Sequence, residues 1–128
     1  MRPPLNVISW DGSSNEGGAP LQIGDIVLDA ANYRVTRGVR DVRIGPTEFR
    51  LLAFMMRNAG RTLTREQLRL AAWPGGGAIN ARTVDVYVGR LRRALNRGRD
   101  RDPIRTIRYT GYAFGVEARK GRAFKAIR

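Results

Sequence analysis

Thr83, Val86, Arg90, Arg93 and Arg97 recur at helical spacing within residues 81–97, with Arg82 and Gly89 beside them. At about 100° per residue they share one stripe of a helix. Guanidinium forks donate paired hydrogen bonds to guanine edges or phosphates, a valine suits the methyl of thymine, and a threonine hydroxyl adapts to several bases. Val84, Val88, Leu91 and Leu95 occupy the opposite stripe, at spacings of four, three and four, as a core-facing seam would. One side of this helix suits a core and the other a polyanion. A merely solvated cationic face has the same composition, so the rest of the chain must decide.

The charge distribution favours the polyanion. Of the formal +13, residues 1–78 carry +3 and residues 79–128 carry +10. A field concentrated on one half of a chain points to a nucleic acid or a similar partner. Nearly all the cations are arginines, Lys120 and Lys125 being the two lysines. Arginine suits bidentate contacts, although a GC-rich genome gives the same bias.

Other chemistries find little material. Cysteine and histidine are absent, which excludes disulfides and leaves no expected metal site or cofactor. Ser9, Ser13 and Ser14 sit in a low-complexity start with no histidine to act as their base. Gly75-Gly76-Gly77 is not followed by the Gly-Lys-Ser/Thr of a phosphate loop. We expect no catalytic residues and no enzyme. Nothing resembles a membrane span or a signal peptide, so a cytoplasmic, nucleoid-associated location is expected.

The elements that position the stripe follow from turn and cap signals. Residues 1–20 mix Pro, Gly, Ser and Asn without a sustained period, and read as a linker or disordered arm in which Trp10 could dock. Short strands follow at Ile26–Leu28, Tyr33–Thr36 and Val39–Ile44, with turns between them. Gly45-Pro46 opens a helix that is apolar nearly all round except at Arg50, and that ends near Asn58-Ala59-Gly60. Thr64 and Gln67 form a capping box, stapled by Leu63 and Leu68, for a second helix running to about Ala72. Asn80 caps the basic helix, about 81–97. Pro103 then precedes two strands, roughly Ile104–Arg108 and Tyr112–Val116, around a tight turn at Tyr109-Thr110-Gly111. Two helices, a basic third helix and a hairpin make a helix-turn-helix with a wing.

Five segments occur in order: Gly-Pro-Thr-Glu-Phe-Arg-Leu-Leu (45–52), Leu-Thr-Arg-Glu-Gln-Leu (63–68), Arg-Thr-Val-Asp-Val (82–86), Arg-Leu-Arg-Arg-Ala-Leu (90–95) and Ile-Arg-Tyr-Thr-Gly-Tyr-Ala-Phe (107–114). Together, over about residues 21–116, they resemble the C-terminal DNA-binding domain of OmpR/PhoB-type response regulators of two-component systems. The resemblance implies an α+β winged helix-turn-helix with an N-terminal antiparallel four-stranded sheet, three helices and a C-terminal β-hairpin wing. The expected division is an arm at 1–20, a winged-helix domain at 21–117 and a basic tail at 118–128. The resemblance also implies that the third helix enters the major groove of double-stranded DNA and that the wing, about 104–116, enters the minor groove. Thr83, Val86, Arg90 and Arg108 would then face bases, and Arg65, Trp73, Arg82, Arg92 and Tyr112 would hold phosphates. The helical stripe adds Arg93 and Arg97 to the phosphate set; Arg92 lies on its flank. Asp85, off the stripe, reads as a structural ion-pair partner, Tyr87 as half core, and Tyr112 as packing with Phe114 and Val116.

The chain departs from the family pattern in places. Gly89 stands where a basic residue is common, and Tyr109 where the wing turn usually has its first glycine, so the tip would be stiffer or its ring would touch a sugar. The loop at 73–80, which would contact RNA polymerase in activating members, is short, uncharged and glycine-rich. Twenty linker-like residues are too few for a phospho-acceptor receiver domain, so the sequence fits an excised domain or a stand-alone regulator. The expected function is sequence-specific transcription regulation, with head-to-tail self-association on tandem DNA sites. The rivals are a non-specific nucleoid or architectural protein and an RNA-binding module.

Overall fold

The computed structural model describes residues 19–75 and 78–115. The expected arm, Trp10, Val116 and the basic tail lie almost wholly outside them. The described residues fall in two compact units that divide between Arg43 and Ile44.

The first unit is a four-stranded antiparallel meander: β1 (Leu21–Ile23), β2 (Ile26–Asp29), β3 (Arg34–Arg37) and β4 (Arg40–Val42). Leu28 pairs with Val35 and Val35 with Val42. These residues share a face, as the two-residue period of a strand requires, and with Ile26 they are buried. Arg37 is also buried; its Nε donates to Asp25, with the nearer carboxylate oxygen at 3.2 Å. Tyr33 and Val39, which alternation assigns to strands, lie instead in turns. Tyr33 takes φ 54° and Val39 follows Gly38 at φ 62°. Residue alternation alone missed β1, whose three residues are too few to show a period.

The second unit holds α1 (Pro46–Arg57), β5 (Thr62–Thr64), α2 (Arg65–Ala72), α3 (Ala81–Leu95), β6 (Ile104–Ile107) and β7 (Gly111–Phe114). Helix α1 buries Phe49, Leu51, Leu52, Met55 and Met56 and packs on α2 and α3. Its exception, Arg50, has a structural use: Nε donates to the Ala72 carbonyl at 2.9 Å, satisfying the end of α2. The capping box forms as expected, with Gln67 N donating to Thr64 Oγ1 at 3.0 Å and Thr64 N to Gln67 Oε1 at 2.8 Å. Asn80 Oδ1 accepts from Thr83 N at 3.0 Å at the start of α3.

Several boundaries in this unit differ from the expected ones: β6 ends at Ile107, short of Arg108, and β7 begins at Gly111 rather than Tyr112. Helix α3 stops at Leu95, because Asn96 is extended (φ −105°, ψ 133°), so Arg97 lies beyond the helical stripe. Thr62–Thr64, read only as the approach to a helix, is also a strand. It pairs with β7 to give a sheet of order β5-β7-β6. At that crossing a Cβ on Gly111 would stand 2.0 Å from the Leu63 carbonyl oxygen. Glycine is needed there for close backbone approach as well as for proximity to a turn.

Candidate nucleic-acid interface

The seam of α3 is fully buried at Val84, Val88, Leu91 and Leu95, which fixes what the other side presents. Arg82, Val86, Arg90 and Arg93 are exposed there. Val86 is 46% exposed, an apolar group left in water on a cationic face. Thr83 is half-buried and its hydroxyl donates to Asn80 Oδ1 at 3.1 Å, so the cap occupies it in this state. Gly89 has room: the nearest atom to a Cβ built there is Arg93 Nη1, at 3.7 Å.

Arg90 lies on an aromatic ring. Its Cζ is 4.6 Å from the Tyr87 ring centroid, and Tyr87 meets Trp73 edge-on, with centroids 5.2 Å apart at 89°. Trp73 is the C-cap of α2, its amide donating to Arg69 O at 3.0 Å. The sequence reading of Tyr87 as half core agrees with its burial but missed its contact with Arg90. The three-residue separation was the available signal.

A second cluster joins α2, α3 and the hairpin. Arg65 Nε and Tyr112 Oη both donate to Asp85 Oδ1, each at 2.7 Å. Asp85 is thus an ion-pair partner, as its place off the stripe suggested. The Asp85 hydrogen bond raises the Arg65 pKa. Burial first, and then the bond to Asp85, raises that of the Tyr112 phenol. The guanidinium carbons of Arg65 and Arg92 lie 5.3 and 5.6 Å from the Tyr112 centroid. Arg92 Nη2 donates to Ile104 O at 2.8 Å and Thr106 Oγ1 at 3.0 Å, and Nε lies 3.1 Å from Asp102. In this state Arg65, Arg92 and Tyr112, expected at phosphates, tie α3 to α2 and to the wing.

The wing ends in Arg108 and Tyr109. Tyr109 is 91% exposed and takes φ 66°, which explains why glycine suits this position. Arg108 Cζ lies 5.4 Å from its ring centroid. Arg97 is exposed past the end of α3, its backbone amide donating to Asp100 Oδ2 at 2.9 Å. The 73–80 loop is exposed at Pro74, Gly75, Ala78 and Asn80; Gly76 and Gly77 lie outside the described residues. Among the described residues no acidic cluster could hold a metal ion, and no helix is long and apolar enough to cross a membrane.

The helix pair α2–α3 with a following hairpin defines the winged-helix class. Residues 39–114 match the family described as "Transcriptional regulatory protein, C terminal", and the chain belongs to that family, the C-terminal DNA-binding domains of OmpR/PhoB-type regulators. It is 52% identical over 93 residues to the phosphate regulon transcriptional regulatory protein PhoB of Rhizobium meliloti, covering 73% of this chain and 41% of that protein. It is 39% identical over 96 residues to PhoB of Escherichia coli K12, covering 75% and 42%. The chain therefore spans about two fifths of the length of these relatives. The fold is similar to that of the Thermotoga maritima response regulator DrrB (TM-score 0.68, 29% identity, 77% of this chain and 45% of that one). It is also similar to the Klebsiella pneumoniae RstA DNA-binding domain, solved in complex with the RstA box (TM-score 0.62, 27% identity, 75% and 96%).

Proposed function

We propose that this domain binds double-stranded DNA at specific sequences and thereby regulates transcription. The observation that carries the reading is the outer face of α3, where Val86 stands exposed among Arg82, Arg90 and Arg93 while the opposite face is sealed in the core. In that setting the exposed valine is suited to meet a thymine methyl in the major groove. Helix α3 lies in the major groove, with Thr83, Val86 and Arg90 toward bases, and the wing carries Arg108 to the minor groove. Arg65, Trp73, Arg82, Arg92, Arg93, Arg97 and Tyr112 face phosphates. For Arg65, Arg92 and Tyr112 this requires sharing or exchanging the partners they hold in the free domain. Phosphate contacts supply most of the affinity and its salt dependence; base contacts supply the choice of site.

Residues 1–20 serve as a linker or arm, 21–117 as the binding domain and 118–128 as a cationic tail. Neighbouring copies associate head to tail on tandem sites, and the 73–80 loop is the surface offered to RNA polymerase. Support for DNA as the partner comes from the similar RstA domain, whose structure holds its own DNA site. The test is selection of binding sites from a random duplex pool at about 150 mM salt, where screening suppresses purely long-range attraction. A recovered motif, repeated at about one helical turn, is expected. Tight binding from a pool that stays random would replace this reading with a non-specific architectural protein.

A further inference from the structure

We propose that Tyr87 is a specificity-determining positioning residue: its ring holds the Arg90 guanidinium in the orientation used to read a base, and Trp73 holds Tyr87. The inference rests on the reading of α3 as the base-contacting helix. Nothing in the sequence motifs assigns Tyr87 a part in that reading.

Tyr87 and Arg90 are three residues apart on α3 and so neighbour one another on its surface. The guanidinium carbon is 4.6 Å from the ring centroid, within the range in which the ring quadrupole attracts a cation. The ring itself is held from behind. Trp73 meets it at 5.2 Å and 89°, the edge-to-face geometry favoured by aromatic pairs. Trp73 in turn is held at the end of α2 by the hydrogen bond its backbone amide donates to Arg69 O. A rigid helix end thus reaches, through two rings, an arginine whose other neighbours on the face are exposed. Arg82 and Arg93 share that face, yet among the described residues the arginines over rings are Arg65, Arg90, Arg92 and Arg108.

The consequence for recognition is entropic. A free arginine samples many rotamers, and bidentate contact with guanine O6 and N7 selects one orientation of its plane. An arginine already confined over a ring loses less freedom on binding. That gain appears only where Arg90 meets its base, so Tyr87 affects discrimination at one base-pair position. A residue that merely supports the fold would affect all positions alike.

The experiment uses the full chain with Tyr87→Leu and Tyr87→Phe. In the free protein, ring-current shifts of the Arg90 side-chain protons are expected in wild type and Tyr87→Phe and absent in Tyr87→Leu. On the selected site and its single-base-pair variants, Tyr87→Leu should lose two- to fivefold in discrimination. The loss should fall at the position where Arg90→Ala also loses, with an unchanged salt slope, and Tyr87→Phe should restore it. In a double-mutant cycle, Tyr87→Leu should add nothing at that position once Arg90 is alanine. The cycle decides the matter even where Tyr87→Leu lowers the melting temperature. A uniform loss at every position, additive behaviour in the cycle, or no loss would each overturn the proposal. Wild-type protein that holds all duplexes equally would overturn the base-reading function and this proposal together, whereas site preference with an indifferent Tyr87→Leu overturns the positioning role alone.

Discussion

Two of the arginines proposed to meet bases lie over tyrosine rings, and the two pairs are built differently. On α3, Arg90 rests on a half-buried Tyr87 that Trp73 braces at 5.2 Å. At the wing tip, Arg108 rests on Tyr109, which is 91% exposed and whose backbone is held at φ 66°. The first pair is anchored through α2 to a packed core. The second stands at the end of two four-residue strands. The same chemistry is thus braced by a second ring in one place and exposed to solvent in the other. Under the proposed reading, that suits a helix matching a defined edge pattern in the major groove and a wing following the degenerate minor groove.

The most severe way to break the comparison is to remove the base of the wing. Gly111→Ala places a Cβ 2.0 Å from Leu63 O, so β5 and β7 must part. We expect a loss of more than about 4 kcal/mol in chemical denaturation, in the range reserved for disrupted cores and backbone clashes. A smaller change tests the two arginines directly. Arg90→Ala should cost about 1–3 kcal/mol in binding to the selected site and relax preference at one base position. Arg108→Ala should lose less and alter only A·T against G·C choice. Equal losses on all sequences from Arg90→Ala would remove its base-reading role.

The joint between the two regions can be tested by pH. Burial and the bond to Asp85 raise the Tyr112 phenol above its usual value, so the folded state holds this proton more tightly than the unfolded chain. The stabilisation is fully present below the ordinary phenol pKa of about 10 and is lost as pH rises through the folded value. Wild-type melting temperature should therefore fall more steeply above about pH 10 than that of Tyr112→Phe. Below that pH the variant should be less stable by about 1.5–3 kcal/mol, the contribution of a hydrogen bond to a charged group. The smallest effect has the opposite sign. Tyr109→Gly relieves a left-handed backbone that costs an L-residue about 1–2 kcal/mol, part of which is offset by glycine's greater freedom when unfolded. A gain of up to about 1 kcal/mol in thermal or chemical melting is expected. A loss would mean that the ring supports the wing and that the contrast with Tyr87 is weaker than drawn.

The helices were legible because their signals are local. The seam of α3, the capping box at Thr64 and Gln67, and the stop before Pro74 all lie within a few residues of what they determine. Strands depended on distance. β5 exists because Leu63 meets Tyr112 across the sheet, and nothing in Arg-Thr-Leu-Thr announces that partner. The arginines of the site were legible as a set but not in their employment. Helical angle separates Arg90 from the core, yet it cannot reveal that Arg65 and Tyr112 converge on one oxygen of Asp85, or that Arg92 reaches Ile104 and Thr106. Those depend on how α2, α3 and the hairpin meet.

Gly89 and Gly111 carry opposite implications for how such a domain changes its address. Gly111 is closed: almost any replacement strikes the Leu63 carbonyl. Gly89 is open, with 3.7 Å to the nearest atom of a flexible arginine, and it sits beside the side chains proposed to meet bases. A new residue there adds helix propensity of up to about 1 kcal/mol while presenting a new group on that face. Most steps toward a new binding site must trade stability for contact. At residue 89 both can improve together, which, under the proposed reading, makes it a position from which a duplicated copy of this domain could diverge to a different DNA site.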